Sequence, residues 1–196
     1  MSYDKTHQTS VVAIPSGAIW EPIQAIRREH DRQLHRWMPH INLLYPFYPR
    51  DQFQPERVIP RLQAACQQVP AFEVTFATFR YFTHGAKRAT IWLDPEPRES
   101  FVHLQATLHD TFSGYDEQSR HRGGFTPHLS VGQVTSRRAV QSLLVTLQTH
   151  WAPVKFHLDA VALIWRPADG PFQVESHIPL APGVAGENGE ADLGRA

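Results

Sequence analysis

Two short segments of this chain carry the same residue pattern: Pro39-His40-Ile41-Asn42-Leu43 and Pro127-His128-Leu129-Ser130-Val131. Each reads proline, histidine, apolar, small polar, apolar. In an extended strand, side chains two apart share a face, so His40 with Asn42, and His128 with Ser130, each present an imidazole beside a hydrogen-bonding group. Ile41 with Leu43, and Leu129 with Val131, then turn into a core. Histidine titrates near neutral pH and can give or take a proton there. One histidine from each of two half-domains meeting across a cleft suits acid–base chemistry on a phosphate. Opening a cyclic phosphodiester needs a base for the attacking water and an acid for the departing sugar oxygen, each worth typically ~10²–10⁴-fold. His40 and His128 can divide those roles, while the Ser130 hydroxyl and the Asn42 amide donate to the phosphoryl oxygens without competing as bases. Neither step requires a metal or an organic cofactor.

The elements that must position these residues follow from apolar spacing. Ser10 to Ile14 reads as a strand and Pro15-Ser16-Gly17 breaks it. Ile19, Ile23, Ile26 and Leu34 then recur near helical spacing. Ile41 to Tyr45 is the first motif strand, and Val58, Leu62, Ala65, Cys66 and Val69 form the stripe of a second helix that Pro70 ends. Phe72, Val74 and Phe76 alternate with polar residues as in a half-buried strand, and Thr90 to Leu93 is expected beside it, the hairpin turning near Thr83-His84-Gly85-Ala86. Phe101, Leu104, Leu108 and Phe112 mark a third helix closed by Ser113-Gly114. After the second motif, Ser136 caps a fourth helix with Val140, Leu143, Leu144, Leu147 and Trp151 on its stripe. Phe156, Leu158 and the run from Val161 to Trp165 read as one strand, and Phe172 to Leu180 as its antiparallel partner.

The order is strand, helix, motif strand, helix, two strands, and then helix, motif strand, helix, two strands. Mixed runs of this kind favour an α+β fold over a doubly wound sheet. The expected architecture is bilobal and pseudo-symmetric, with two antiparallel sheets facing a central cleft and helices packed outside. Residues 1–180 are expected to form one domain of two lobes. Residues 181–196, rich in Gly, Ala, Glu and Asp, lack the apolar surface to offset ordering and are expected to be a disordered tail.

Composition narrows the chemistry. The 196 residues are 41% hydrophobic and hold 19 basic and 19 acidic side chains, so no net positive field draws the whole chain to polyanions. The N-terminus carries no apolar signal core and no run approaches the roughly 18 apolar residues of a membrane span. A soluble, cytoplasmic monomer is expected. Cys66 is the single cysteine and sits on a helical stripe, as a small hydrophobe would. Neither motif has an i,i+4 histidine pair and there is no Cys-x-x-Cys, which disfavours a metal site. Phosphate-cradling glycine motifs are absent, which argues against use of ATP.

On the paired His-apolar-polar-apolar segments and the order of elements, residues 8 to 180 resemble the two-histidine (2H) phosphoesterase superfamily, which includes the 2'-5' RNA ligase and RNA 2',3'-cyclic phosphodiesterase families. Its pattern is two copies of His-x-Thr/Ser followed by an apolar residue on facing strands. His128-Leu129-Ser130-Val131 matches it, whereas Asn42 stands where threonine or serine is usual. The resemblance implies metal-free cleavage of a phosphodiester by His40 and His128, on an RNA 3' end or a small nucleotide bearing a 2',3'-cyclic phosphate. Further substrate-binding candidates are Arg120 and Arg122 in the basic loop before the second motif, Phe125 as a base platform and Tyr45 after the first motif. Phe47 and Tyr48 after the first motif, and Arg80-Tyr81-Phe82 and Lys87-Arg88 flanking the hairpin, are further candidates to line the cleft. The alternatives are a non-catalytic RNA-end or nucleotide-binding protein with a degenerate site, and a 2'-5' phosphodiesterase using the same residues.

Overall fold

Val11, Val12 and Ala13 are buried without remainder, and so continuous a run belongs inside a sheet, not at its rim. The computed structural model describes residues 5–50, 55–85, 88–115, 117 and 123–183. In it β1 (Thr9–Ala13) is followed by α1 (Trp20–His30), β2 (Ile41–Leu44), α2 (Pro55–Cys66), β3 (Phe72–His84) and β4 (Arg88–Glu96). The chain continues through α3 (Arg98–Thr111), β5 (Leu129–Val134), α4 (Arg137–His150), β6 (Val154–Leu158), β7 (Ala160–Trp165) and β8 (Gln173–Pro179). The strands make two four-stranded sheets, ordered β2-β1-β7-β8 and β5-β4-β3-β6, with every neighbouring pair antiparallel. Each motif strand is therefore the edge of its own sheet.

This is the expected α+β fold, with one difference in how it is assembled. The lobes are not the two halves of the chain, because β7 and β8 return to the sheet that holds β1 and β2. The segment from Phe156 to Trp165, read above as one strand, is two strands in different sheets: β6 pairs with β3 and β7 with β1. Chain direction changes sheets at Asp159, whose carbonyl accepts from the Leu180 amide at 2.8 Å. The helix stripe from Ile19 to Leu34 likewise stops early, at His30, with Asp31 closing the helix through its amide to the Arg27 carbonyl.

Several local expectations hold. β3 and β4 form the hairpin, with Thr90 opposite Phe82 and Gly85 turning at a φ of 67° that glycine adopts without a Cβ penalty. Ser136 caps α4 by accepting the Ala139 amide at 3.1 Å. Cys66 is buried in the core, and burial pushes its thiol up to about 12. Ala181, the first residue of the expected tail, is instead held in the fold: it bridges to Pro70 and its amide reaches the Val69 carbonyl at 2.9 Å; the tail from residue 184 onward lies outside the described residues. No helix among the described residues is long and apolar enough to cross a membrane.

One core joins the sheets, taking Val11, Ile41 and Leu43 from the first and Val74, Phe76, Ile91 and Leu129 from the second. α1 packs on β5 and α3 reaches β2, so each motif strand is braced by a helix. The bracing of β5 depends on Gly132, where an added Cβ would lie 2.6 Å from the His30 Cβ and 3.1 Å from its carbonyl oxygen. Both opposing atoms sit at the helix terminus, so relief requires α1 to move. Gly132→Ala is expected to cost roughly 1–3 kcal/mol by overpacking and to lower Tm by about 5 °C in a thermal melt. A melt unchanged from wild type would show that α1 is not tightly seated.

Candidate active site

The two histidines are oriented by the same local device. A residue before proline is pushed toward extended backbone, and this aims the Met38 and Thr126 carbonyls at the imidazole two residues on. His40 Nδ1 donates to the Met38 carbonyl at 2.8 Å, and His128 Nδ1 donates to the Thr126 carbonyl at 2.8 Å. With the Nδ1 proton so held, Nε2 carries the lone pair of the neutral ring. At His40 that lone pair accepts from the Asn42 amide at 3.0 Å, and the Asn42 carbonyl oxygen accepts from Ser10 at 2.9 Å. A hydrogen-bond chain thus runs from Ser10 on β1 through Asn42 to the His40 ring, where it fixes the tautomer.

Aromatic rings hold the imidazoles in place. Trp37 stacks on His40 with centroids 4.3 Å apart and planes 12° from parallel, and Phe172 stacks on the far face of the cluster at 3.8 Å from Trp37. His128 meets Phe82 edge to face at 5.0 Å and Trp92 at 5.9 Å. An open cavity of about 440 Å³ lies between the sheets, lined by Asn42 from β2, Phe82 and His84 from β3, and Gly124, Thr126 and His128 on the approach to β5. Asn42 forms the wall of this cavity on the β2 side, in front of the His40 nitrogen that it caps.

Burial lowers the His40 pKa to about 4, against the pull of the Met38 carbonyl; Arg27 and His128 lower it further and Asp31 opposes them. His40 is therefore neutral in the fold at neutral pH. In the unfolded chain it titrates near ~6.5, so on acidification the unfolded chain takes up the proton first. The stability this contributes is fully present above about pH 6.5 and is lost as pH falls toward 4. Between about pH 7.5 and about pH 4.5 the unfolding free energy of wild type is expected to fall by roughly 2–3 kcal/mol more than that of His40→Gln. Urea titrations at the two pH values measure it, and parallel losses would mean that the ring is not held neutral by burial.

His40, Asn42, His128 and Ser130 all lie on or beside the two edge strands, Asn42 in register with Val12 and Ser130 with Trp92. Phe125 packs against the main core. Tyr45 joins a separate apolar cluster with Val12, Ile164 and Phe172, and its hydroxyl donates to the His7 carbonyl at 3.4 Å; burial raises its pKa. Arg120 and Arg122 lie outside the described residues. Phe82, a candidate cleft residue beside the hairpin, does line the cavity; sequence reasoning missed Ser10, Trp37 and Trp92. Trp37 stands three residues before His40, but nothing local marks Ser10, whose contact with Asn42 comes from strand pairing.

Two antiparallel sheets, each with a Pro-His segment at an edge strand and its histidine anchored to the carbonyl two residues earlier, with His128 lining the cavity and His40 set behind Asn42, fit the two-histidine phosphoesterase class. A model of the 2'-5' RNA ligase superfamily matches residues 15–170, and the chain belongs to that superfamily. Among solved structures it is similar to Escherichia coli LigT complexed with 3'-AMP, with a TM-score of 0.56 and 15% identity over 90% of this chain and 99% of that one. The Thermus thermophilus protein TT0787 is similar at a TM-score of 0.55 and 16% identity, covering 89% of this chain and 98% of the other. A Staphylococcus aureus (strain Newman) protein, named as a candidate phosphoesterase, is 23% identical over 137 residues, 66% of this chain and 73% of its own.

Proposed function

We propose that this protein is a metal-independent phosphodiesterase that opens a 2',3'-cyclic phosphate on RNA or a nucleotide, with His40 as base and His128 as acid. The observation that carries this reading is the matched pair of imidazoles, each with Nδ1 fixed to the carbonyl two residues earlier at 2.8 Å. His40, held neutral, takes the proton of the attacking water through Nε2 as the water oxygen bonds phosphorus. The bond from phosphorus to one ribose oxygen breaks, and His128, which enters the step protonated on both ring nitrogens with Nδ1 held by the Thr126 carbonyl, delivers its Nε2 proton to that oxygen, leaving a nucleoside monophosphate. Asn42 turns its amide from the imidazole to the phosphoryl oxygens as substrate enters, and Ser130 donates from the opposite strand. The LigT complexes with 3'-AMP and with phosphate support a substrate of this kind, 3'-AMP being one product of such a ring opening.

A second reading is a nucleotide-binding protein without turnover. It is favoured by the amide of Asn42 on the His40 lone pair, which a base must lose before it can act. Incubation of the chelator-treated protein with a 2',3'-cyclic mononucleotide and a short cyclic-phosphate-ended RNA decides between them. Ring opening in EDTA is expected. Tight binding of both substrates without opening would establish the second reading, and opening only after a divalent metal is restored would exclude the metal-free route.

A further inference from the structure

A second cavity, also of about 440 Å³, borders the first, and His84 lines both. Its other walls include Arg32, Arg88, Thr90, Gln133 and Thr135, and none of its lining residues among those described is acidic. Arg88 opens β4 directly opposite His84. Arg32 is brought from the other side of the groove by the end of α1, where its amide donates to the Gln133 side chain at 2.9 Å. The same Gln133 donates to Asp31 at 3.0 Å, and Asp31 is itself buried against Arg27 at 2.8 Å. The nearby carboxylate is thus turned inward and neutralised, while both exposed guanidinium groups border open space.

Geometry sets the separation from the histidines. Gln133 faces Thr90 across β4 and β5, and Ser130 faces Trp92; the three residues from Ser130 to Gln133 span about 10 Å along the strand. A 2',3'-cyclic mononucleotide with a free 5'-hydroxyl has a single phosphate, which the histidine pair consumes. It has nothing to offer two arginines that far along the groove, whereas a longer chain does.

We infer that the Arg32–Arg88 groove is a second phosphate site, which takes an internucleotide phosphate on the 5' side of the reacting end and makes an oligoribonucleotide the preferred substrate. The inference rests on the proposed ring-opening function and deepens it. Guanidinium forks suit phosphate oxygens, and Thr90 and Gln133 add neutral hydrogen-bonding capacity. His84, with Nε2 at 3.0 Å from the Thr90 hydroxyl, lies where the strand passes from one cavity to the other.

The test compares wild type with Arg32→Gln/Arg88→Gln on three substrates: a 2',3'-cyclic mononucleotide with a 5'-hydroxyl, its 5'-phosphorylated form, and a trinucleotide with the same cyclic-phosphate end. The double variant is expected to lose about tenfold in kcat/KM on the trinucleotide, through KM, because phosphate contacts position without reacting. The 5'-hydroxyl mononucleotide should stay within about twofold, and the trinucleotide reaction should become less sensitive to salt. Equal losses on mononucleotide and trinucleotide, or no loss on either, would overturn the site. A loss on the 5'-phosphorylated mononucleotide as large as on the trinucleotide would replace the polynucleotide by a nucleotide with a 5'-phosphate. Affinity for a trinucleotide ending in a 3'-phosphate, measured by fluorescence titration, decides the groove independently of turnover. Weaker binding by the double variant upholds the groove even if no cyclic phosphate is opened, and undiminished binding rejects it even if ring opening is confirmed.

Discussion

His40→Ala and His128→Ala are each expected to lower kcat/KM for ring opening by about 10²–10⁴-fold, and the double variant to fall little below the worse single. The two proton transfers belong to one displacement, so a site that has lost its base gains little from keeping its acid; groups that act as a unit lose activity non-additively. The losses should appear mainly in kcat, because neither ring is the principal phosphate donor in the proposed arrangement. Structural damage has to be separated from chemistry, since His40→Ala also removes the stack on Trp37 and the bond to Met38. His40→Gln keeps a polar side chain beside Asn42 and serves as the second variant, its fold checked by circular dichroism. If either single alanine variant retained more than about a tenth of wild-type kcat/KM while folded, the pair would not be the acid and base.

What sequence could reveal of this site was local, and what it could not reveal was long-range. The Pro-His repeats were legible because alternation in a strand and restriction before proline act within two or three residues, and the same carbonyl anchor then appears at both histidines. Ser136 was legible as a cap because its partner, Ala139, is three residues away. The change of sheet at Asp159 does have a signal in the chain: Phe156 and Leu158 are buried in alternation, whereas Val161 to Ile164 are buried continuously. That is the difference between a strand with one wet face and one enclosed on both. Ser10 had no such signal, since its partner Asn42 lies 32 residues on and only the pairing of β1 with β2 brings them together. The groove at Arg32 needed four elements at once, for the end of α1, β3, β4 and β5 meet there without any shared sequence pattern. Phe125, a substrate-binding candidate whose sequence reading left core packing open, is half-buried and packs against the core, as apolar burial next to a strand favours.

Asp31→Ala is expected to destabilise the fold by roughly 3–5 kcal/mol. The Arg27 and Asp31 side chains are 2% and 3% exposed and their ion pair measures 2.8 Å, so removing the carboxylate leaves a cation in a site that water cannot reach. More than one bond goes with it. Asp31 also accepts from the Gln33 amide at 2.8 Å and from Gln133 at 3.0 Å, which ties the end of α1 to β5 beside the second motif. Arg27 meanwhile donates to the Trp37 carbonyl at 2.9 Å, one residue from the carbonyl that anchors His40. Damage to the pair therefore reaches both motif strands. Losing Asp31 also removes a charge that raises the His40 pKa and leaves only the Met38 carbonyl to oppose burial, Arg27 and His128, so the ring should titrate at still lower pH. Arg27→Met is expected to be similarly costly, because it strands the carboxylate. Replacing both, Arg27→Met with Asp31→Ala, should cost less than the sum of the singles, since neither charge is then left alone. Urea denaturation of the four proteins gives the coupling directly. Singles that each cost under about 1 kcal/mol would mean that water reaches the pair and that it behaves as a surface bridge.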